Sequence, residues 1–270
     1  MRLSVEVVDH IFSFLLSHRE SLIACSKVPR LSPIVERHLY YHVTVHIVDS
    51  KPLSRSAFEP EHLSKVLSEN PHILNYVRIL QIEPDFSFPR KKYRQSILRR
   101  LDEFSKTLLM FPGLECIMLT SKNRVWYWSD AFRVALEDRL NLPTMREIHF
   151  VASKDFPFSL LHICKHVKNL SLSGSFKAKG RICDSTTLPQ LKSLTLRTDD
   201  ISSSLLAWLK LHINELQSLK CAFFSVEVLL ELLRVCSETL NKLDVDLTNW
   251  GGKVQPSSNR GMATLKCSRL

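Results

Sequence analysis

The sequence predicts an α/β chain in which a small helical unit at the N-terminus is followed by short parallel strands backed by helices. Three observations carry this expectation. An apolar pattern, three apolar positions separated by two residues and then one, recurs seven times from Val77 onward. The stretches between recurrences have helical spacing and open on residues that cap helices well. The stretch from Leu3 to about Tyr41 has a separate rhythm, helical and without the strand pattern.

In "LSVEVVDHIFSFLL", Val8, Ile11, Phe12 and Leu15 fall at i, i+3, i+4 and i+7, which is one face of a helix. Val5 extends that stripe, Val7 broadens it, and Ser4 is placed to cap it. A second apolar set, Leu22, Ile23, Cys25 and Val28, follows before Pro29 and Pro33 interrupt the pattern. A unit of about forty residues cannot bury a sizeable core alone. It must therefore be the first layer of the main core or a docking module for another protein. The expected organisation is a helical domain over 1–42, a connecting segment over 43–75, a repeat region over 76–249 and a loose tail over 250–270.

The recurring pattern reads "VRILQI" (Val77, Leu80, Ile82), "LECIML" (Leu114, Ile117, Leu119), "MREIHF" (Met145, Ile148, Phe150) and "VKNLSL" (Val167, Leu170, Leu172). It continues as "LKSLTL" (Leu191, Leu194, Leu196), "LQSLKC" (Leu216, Leu219, Cys221) and "LNKLDV" (Leu240, Leu243, Val245). The intervals are 37, 31, 22, 24, 25 and 24 residues, so the last four are nearly constant. A period of about 20–29 residues with one strand per unit is the signature of leucine-rich repeats, whereas armadillo and tetratricopeptide units need roughly 34–47. Helices are expected over "SDAFRVALEDRL", "DDISSSLLAWLKL" and "SVEVLLELLRVC", capped by Ser129, Asp200 and Ser225. The region thus resembles a leucine-rich-repeat solenoid, with one departure. Where that family carries Asn or Cys after the strand, this chain has Lys122, Ser153, Ser175, Asp199, Phe224 and Thr248, which predicts an irregular curve. The segment "WGGKVQPSSNRGMATLKCSRL" lacks an apolar period and is expected to be a disordered tail, with no polar cap on the final repeat.

At 270 residues and 44% apolar content the chain can bury a real core. Its seven cysteines are odd in number and scattered without a C-x-x-C pair, which fits neither a disulfide framework nor a zinc site. They are expected to be reduced, core-filling thiols. Glu6, Asp9 and His10 interrupt the first apolar stretch, so it is not read as a signal peptide, and a cytoplasmic or nuclear protein is expected. His38, His42 and His46 would align as metal ligands on one helix, but "HVTVHIV" alternates like a strand. "HICKH" is explained equally well by a helix end. There is no glycine-rich phosphate loop, no G-x-S-x-G and no H-E-x-x-H, so neither an enzyme nor a cofactor is expected. The net charge of +10 and the cluster "RKKYRQSILRR" raise an alternative, a basic nucleic-acid-binding scaffold or a ligase-independent repeat platform.

The N-terminal stretch resembles an F-box. Leu3, Glu6, Val7, Val8, Ile11 and Leu15 match the family's first helix, and Ala24, Cys25, Ser26, Val28 and Arg30 match its A-C-S-x-V-x-R segment. "RHLYYHVTV" and "LSENPHILNYVRILQI" are similar to the exit and the repeat entry of fungal members. Ser4 stands where the family has proline, and Ser32 where a tryptophan often anchors the last helix. The resemblance implies a substrate receptor of an SCF-type cullin-RING ubiquitin ligase, non-catalytic itself. It would bind a Skp-type adaptor, and through it a cullin scaffold, with Leu3, Val8, Ile11, Phe12, Leu15, Ile23 and Val28. The repeats would then hold an unknown protein target.

If the three apolar positions of each pattern point inward, alternation sends the residues between and beside them to the opposite sheet face. That expected concave face carries Met118, Thr120, Glu147, His149, Ser171, Ser173, Thr195, Arg197, Lys220, Lys242, Asp244 and Asp246. Of these, Glu147, His149, Thr195, Arg197, Lys220, Lys242 and Asp244 are the expected target-binding residues.

Overall fold

The computed structural model of the chain describes residues 4–15, 18–47, 57–84, 91–121, 128–151, 159–174, 190–198, 201–222, 225–246 and 264–268. The chain forms two compact units, residues 1–117 with 128–144 and residues 118–127 with 145–270.

The first unit begins with three short helices, α1 (Val5–Ser13), α2 (Arg19–Ser26) and α3 (Ser32–Leu39). Each is too short to be stable alone, so packing holds them. Phe12, Leu22, Val35 and Leu39 form their shared core, with Val8, Leu15, Cys25 and Ile34 packed around it. The Ser4 hydroxyl accepts from the Val7 N–H at 3.4 Å and caps α1 as the sequence predicts.

The chain then enters β1 (His42–Ile47), which pairs in parallel with β2 (Ile79–Pro84) in the register Val43 to Leu80 and Val45 to Ile82. Between them lie α4 (Pro60–Glu69) and a 3-10 turn, Pro71–Asn75. The segment 43–75 is therefore not a mere connector. Val43, Val45 and Ile47 alternate and are fully buried, so it contributes a strand of its own. Phe58 extends the pairing on the other side of β1, donating to Thr44 O and accepting from His46 N–H, both at 2.8 Å.

Helix α5 (Lys91–Leu108) buries Ile97, Leu101, Phe104 and Leu108, one stripe at helical spacing. The chain leaves the first unit within β3 (Cys116–Thr120) and returns for α6 (Asp130–Leu140). Ser129 caps α6, its hydroxyl accepting from Phe132 N–H at 3.2 Å, and Phe132, Ala135, Leu136 and Leu140 face inward.

The second unit contains β4 (Glu147–Val151), α7 (Ser159–Ile163), β5 (Asn169–Ser173), β6 (Ser193–Arg197), α8 (Ser203–His212), β7 (Ser218–Ala222), α9 (Val226–Cys236), β8 (Lys242–Asp246) and β9 (Thr264–Ser268). Strands β4 to β8 are parallel and adjacent in chain order. One row runs Ile148, Leu170, Leu194, Leu219, Leu243, buried up to the half-buried Leu243, and the next, buried throughout, runs Phe150, Leu172, Leu196, Cys221, Val245. Those are the second and third apolar positions of the repeating pattern, so the pattern located the strands. Parallel neighbours need a crossover between them, and α8 and α9 supply it for the last three.

Two expectations are corrected. Helix α8 is capped by Ser202, whose extended backbone lets its hydroxyl accept from Leu205 N–H at 3.3 Å; Asp200 lies outside the described residues. The C-terminal segment is not wholly without structure, since β9 pairs antiparallel with β8, from Lys242 opposite Ser268 to Asp246 opposite Thr264. An exposed last strand would present a row of unpaired N–H and C=O groups, and β9 covers it. The positions 122, 153, 175, 199, 224 and 248, on which the expected irregularity rests, lie outside the described residues.

Cys116, Cys164, Cys221 and Cys236 are buried and unbridged, as core-filling thiols should be. Burial pushes the Cys221 thiol up to about 12 and the Cys164 thiol higher still. Among the described residues no helix is long and apolar enough to cross a membrane.

Opposite faces of β6 should respond differently to truncation. Leu194→Ala, at a fully buried position, should cost about 2–5 kcal/mol in urea unfolding. Thr195→Ala, on the other face, should cost under about 1 kcal/mol.

Candidate functional site

Helix α1 carries two apolar stripes. Val8, Phe12 and Leu15 turn toward the three-helix core. Val7, Ile11 and, at the C-cap, Phe14, at i, i+4 and i+7, form a second stripe that stays exposed among the described residues. They are 45%, 46% and 70% exposed. Val5 is exposed beside them, Ile23 on α2 is exposed, and Val28 just past α2 is exposed too. Elsewhere in the described residues large exposed apolar side chains come singly, as at Val134, or in twos, as at Leu109 and Met110 or at Val226 and Leu230 on one face of α9. Such a concentration makes this face a candidate contact surface.

The structure therefore divides the residues expected to dock a partner. Ile11, Ile23 and Val28 lie on the surface. Phe12 does not: it is 5% exposed and anchors the three helices, because its position on α1 points at Leu22, Val35 and Leu39. Val8 and Leu15 are half-buried against the same core. Leu3 lies outside the described residues. Sequence reading missed Phe14 and underweighted Val7. The available signal was their i, i+4, i+7 spacing with Ile11, masked by the stronger stripe beside it.

Polar contacts join the three helices. Asp9 on α1 accepts from Arg37 and from His38 Nε2, the latter at 2.8 Å, and so ties α1 to α3. These hydrogen bonds, Arg37 first and His38 second, hold the Asp9 carboxyl below its ordinary value. Arg19 on α2 donates to the Leu39 carbonyl at 2.9 Å. Ser32, where the sequence lacks a tryptophan, starts α3 and donates to Glu36 Oε1 at 2.8 Å.

The second candidate surface is the strand face of the second unit. Register places Glu147, Asn169, Ser193, Ser218 and Lys242 in one row. The next row holds His149, Ser171, Thr195, Lys220 and Asp244, and the third Val151, Ser173, Arg197, Ala222 and Asp246. All seven residues expected to hold a target share this face, and Met118 and Thr120 on β3 are half-buried. Charges on the face are partly matched internally. His149 Nε2 lies 2.9 Å from Glu147 Oε1, and Lys220 Nζ lies 3.0 Å from Asp244 Oδ2. Among the described side chains of the face, Arg197 and Lys242 are exposed cations.

The histidine candidates separate. His38 belongs to α3, while His42 and His46 lie on β1. His42 pairs with Gln81 at 3.1 Å, and His46 is buried with its Nε2 2.6 Å from Glu83 Oε2. In "HICKH", Cys164 donates to the Leu160 carbonyl at 3.0 Å. On α5, Arg99 pairs with Glu103 at 3.4 Å and Arg100 with Glu61 at 4.0 Å, which offsets part of that basic cluster. The side chains of Lys91 and Lys92 lie outside the described residues.

No family model, curated protein or solved structure matches this chain.

The division of α1 into two stripes is open to measurement by urea denaturation. Phe12→Ala should destabilise the protein by about 3–5 kcal/mol, whereas Ile11→Ser should change stability by no more than about 0.5 kcal/mol. Equal losses would mean that Ile11 is covered within the chain.

Proposed function

We propose that the chain is the substrate-recognition subunit of an SCF-type cullin-RING ubiquitin ligase. Its F-box-like unit over 1–42 docks a Skp-type adaptor, which joins it to a cullin scaffold. Its leucine-rich-repeat-like region holds a target protein. The observation that supports this most is the uncovered stripe of Val7, Ile11 and Phe14, on the segment whose residues match the F-box pattern. Burying such side chains against a partner gains about 25 cal/mol per Å² of apolar surface. Asp9, Arg37 and His38 keep the helices in a fixed arrangement, which lowers the ordering cost of docking.

On this reading no bond is made or broken by the chain itself. It works by proximity, raising the effective concentration of target lysines near a charged conjugating enzyme supplied by other subunits. The strand face, with hydroxyls on β5 and β6 and charges of both signs on β7 and β8, suits a polar protein segment better than a lipid. A nucleic-acid surface on α5 has less behind it, since Arg99 and Arg100 already have carboxylate partners.

Co-purification with a Skp-type adaptor tests the proposal. The wild-type chain should capture the adaptor. Ile11→Asp should abolish capture, because a charge would enter a desolvated contact. Arg197→Glu, on the strand face, should leave capture unchanged. A wild-type chain that is folded yet fails to bind the adaptor would remove the basis for the ligase reading.

A further inference from the structure

The position just ahead of each strand in the second unit forms a column, and for β4, β5 and β6 that column is basic: Arg146, Lys168 and Lys192. The Arg146 carbonyl accepts from the N–H groups of Lys168 and Asn169 at 2.9 and 3.0 Å. The Lys168 carbonyl accepts from Lys192 and Ser193 at 2.8 and 3.0 Å. The backbones of these three residues are thus fixed at the entries of neighbouring strands, about 5 Å apart per step. They border a cavity of about 370 Å³, whose wall also includes Lys165 and His166 from the turn before β5. Among the described residues of the wall the carboxylate is Glu215, which is paired with Lys192 and leaves Lys165 and Lys168 facing the same cavity. Among the described residues no carboxylate pairs with Lys165 or Lys168, and both side chains are exposed. Like charges held this close repel one another, and a bound anion relieves that repulsion.

We propose that this cavity is a binding site for a phosphate monoester. A dianionic group with three strong acceptor oxygens matches the donor set. Lys165 and Lys168 act toward those oxygens as point charges, and Arg146, whose Nη1 donates to the Met145 carbonyl at 3.2 Å, adds positive charge at the same wall. A nucleic-acid strand fits less well. Base stacking needs an aromatic platform, and among the described residues the wall contains no Phe, Tyr or Trp. Beyond Lys192 the column continues with the uncharged Gln217 and Asn241, so the positive charge is local and does not form a track for a long backbone. The ester could be a phosphorylated side chain of another protein or a free small phosphate, and the chemistry of recognition is the same. The site does not depend on the adaptor reading, since it lies in the second unit and needs no partner subunit to form.

Fluorescence anisotropy on the full chain tests it, using a labelled glycine-serine peptide with a single phosphoserine, its unphosphorylated twin, inorganic phosphate and a short oligothymidylate. At low salt the phosphopeptide should bind at least about tenfold tighter than its twin. The double variant Lys165→Gln with Lys168→Gln should lose that preference at an unchanged melting temperature. Efficient competition by inorganic phosphate would support the site and assign it to free phosphates. Failure of phosphate to compete, with the peptide preference intact, would support it and assign it to a phosphorylated protein. Equal binding of the two peptides, a preference that survives the double variant, or an oligothymidylate that displaces the phosphopeptide more readily than inorganic phosphate does would each overturn the proposal.

Discussion

One backbone interaction recurs at the entry to the parallel strands and fixes nearly everything downstream. The carbonyl of the residue before a strand accepts two N–H groups from the entry to the next strand. Tyr41 does this for Arg78 and Ile79, Arg78 for Glu115 and Cys116, and Lys192 for Gln217 and Ser218. A slip of one residue would break both bonds and turn every side chain of the strand to the wrong face. With the register set this way, the apolar positions stack into continuous rows, and the polar positions between them are sorted onto the other face. The surface that could meet a partner is thus a by-product of how the core is built.

The three N-terminal helices follow a different rule. They lack a ladder, so their arrangement depends on a small core around Phe12, Leu22, Val35 and Leu39 and on the Asp9 contacts to α3. A helix with a narrow apolar face can be fully covered by two short neighbours. Helix α1 has a broad one, and only half of its width is needed to hold the unit together. The surplus width remains exposed, and on the proposed reading it is the part that a partner completes. Residues such as Phe12 and Ile11 stand side by side in the chain yet serve different ends for this reason alone.

The candidate surfaces were only partly legible in the sequence. The periodic triads located β2 to β8, and capping serines located α1, α6 and α9, because strand alternation and helix capping act over a few residues. β1 showed only as an alternating stretch in what looked like a connector, and β9 was hidden in a segment rich in glycine and polar residues. Neither is stable by local preference; each is held by the neighbour it pairs with. The basic column ahead of β4, β5 and β6 was present as the second letter of three successive patterns, but it has meaning only once those letters are known to lie on adjacent strands.

By itself the sequence determined the fold class, the buried triads and the two stretches worth examining for partners, since these depend on spacing along one chain. Which side of α1 is core and which is surface, which strand charges neutralise each other, and which distant cations gather around one cavity were decided only in the tertiary structure. The physical reason is that exposure and charge pairing are properties of neighbours in space. Ile11 and Phe12, or Lys165 and Lys192, acquire their roles from what the folded chain sets beside them.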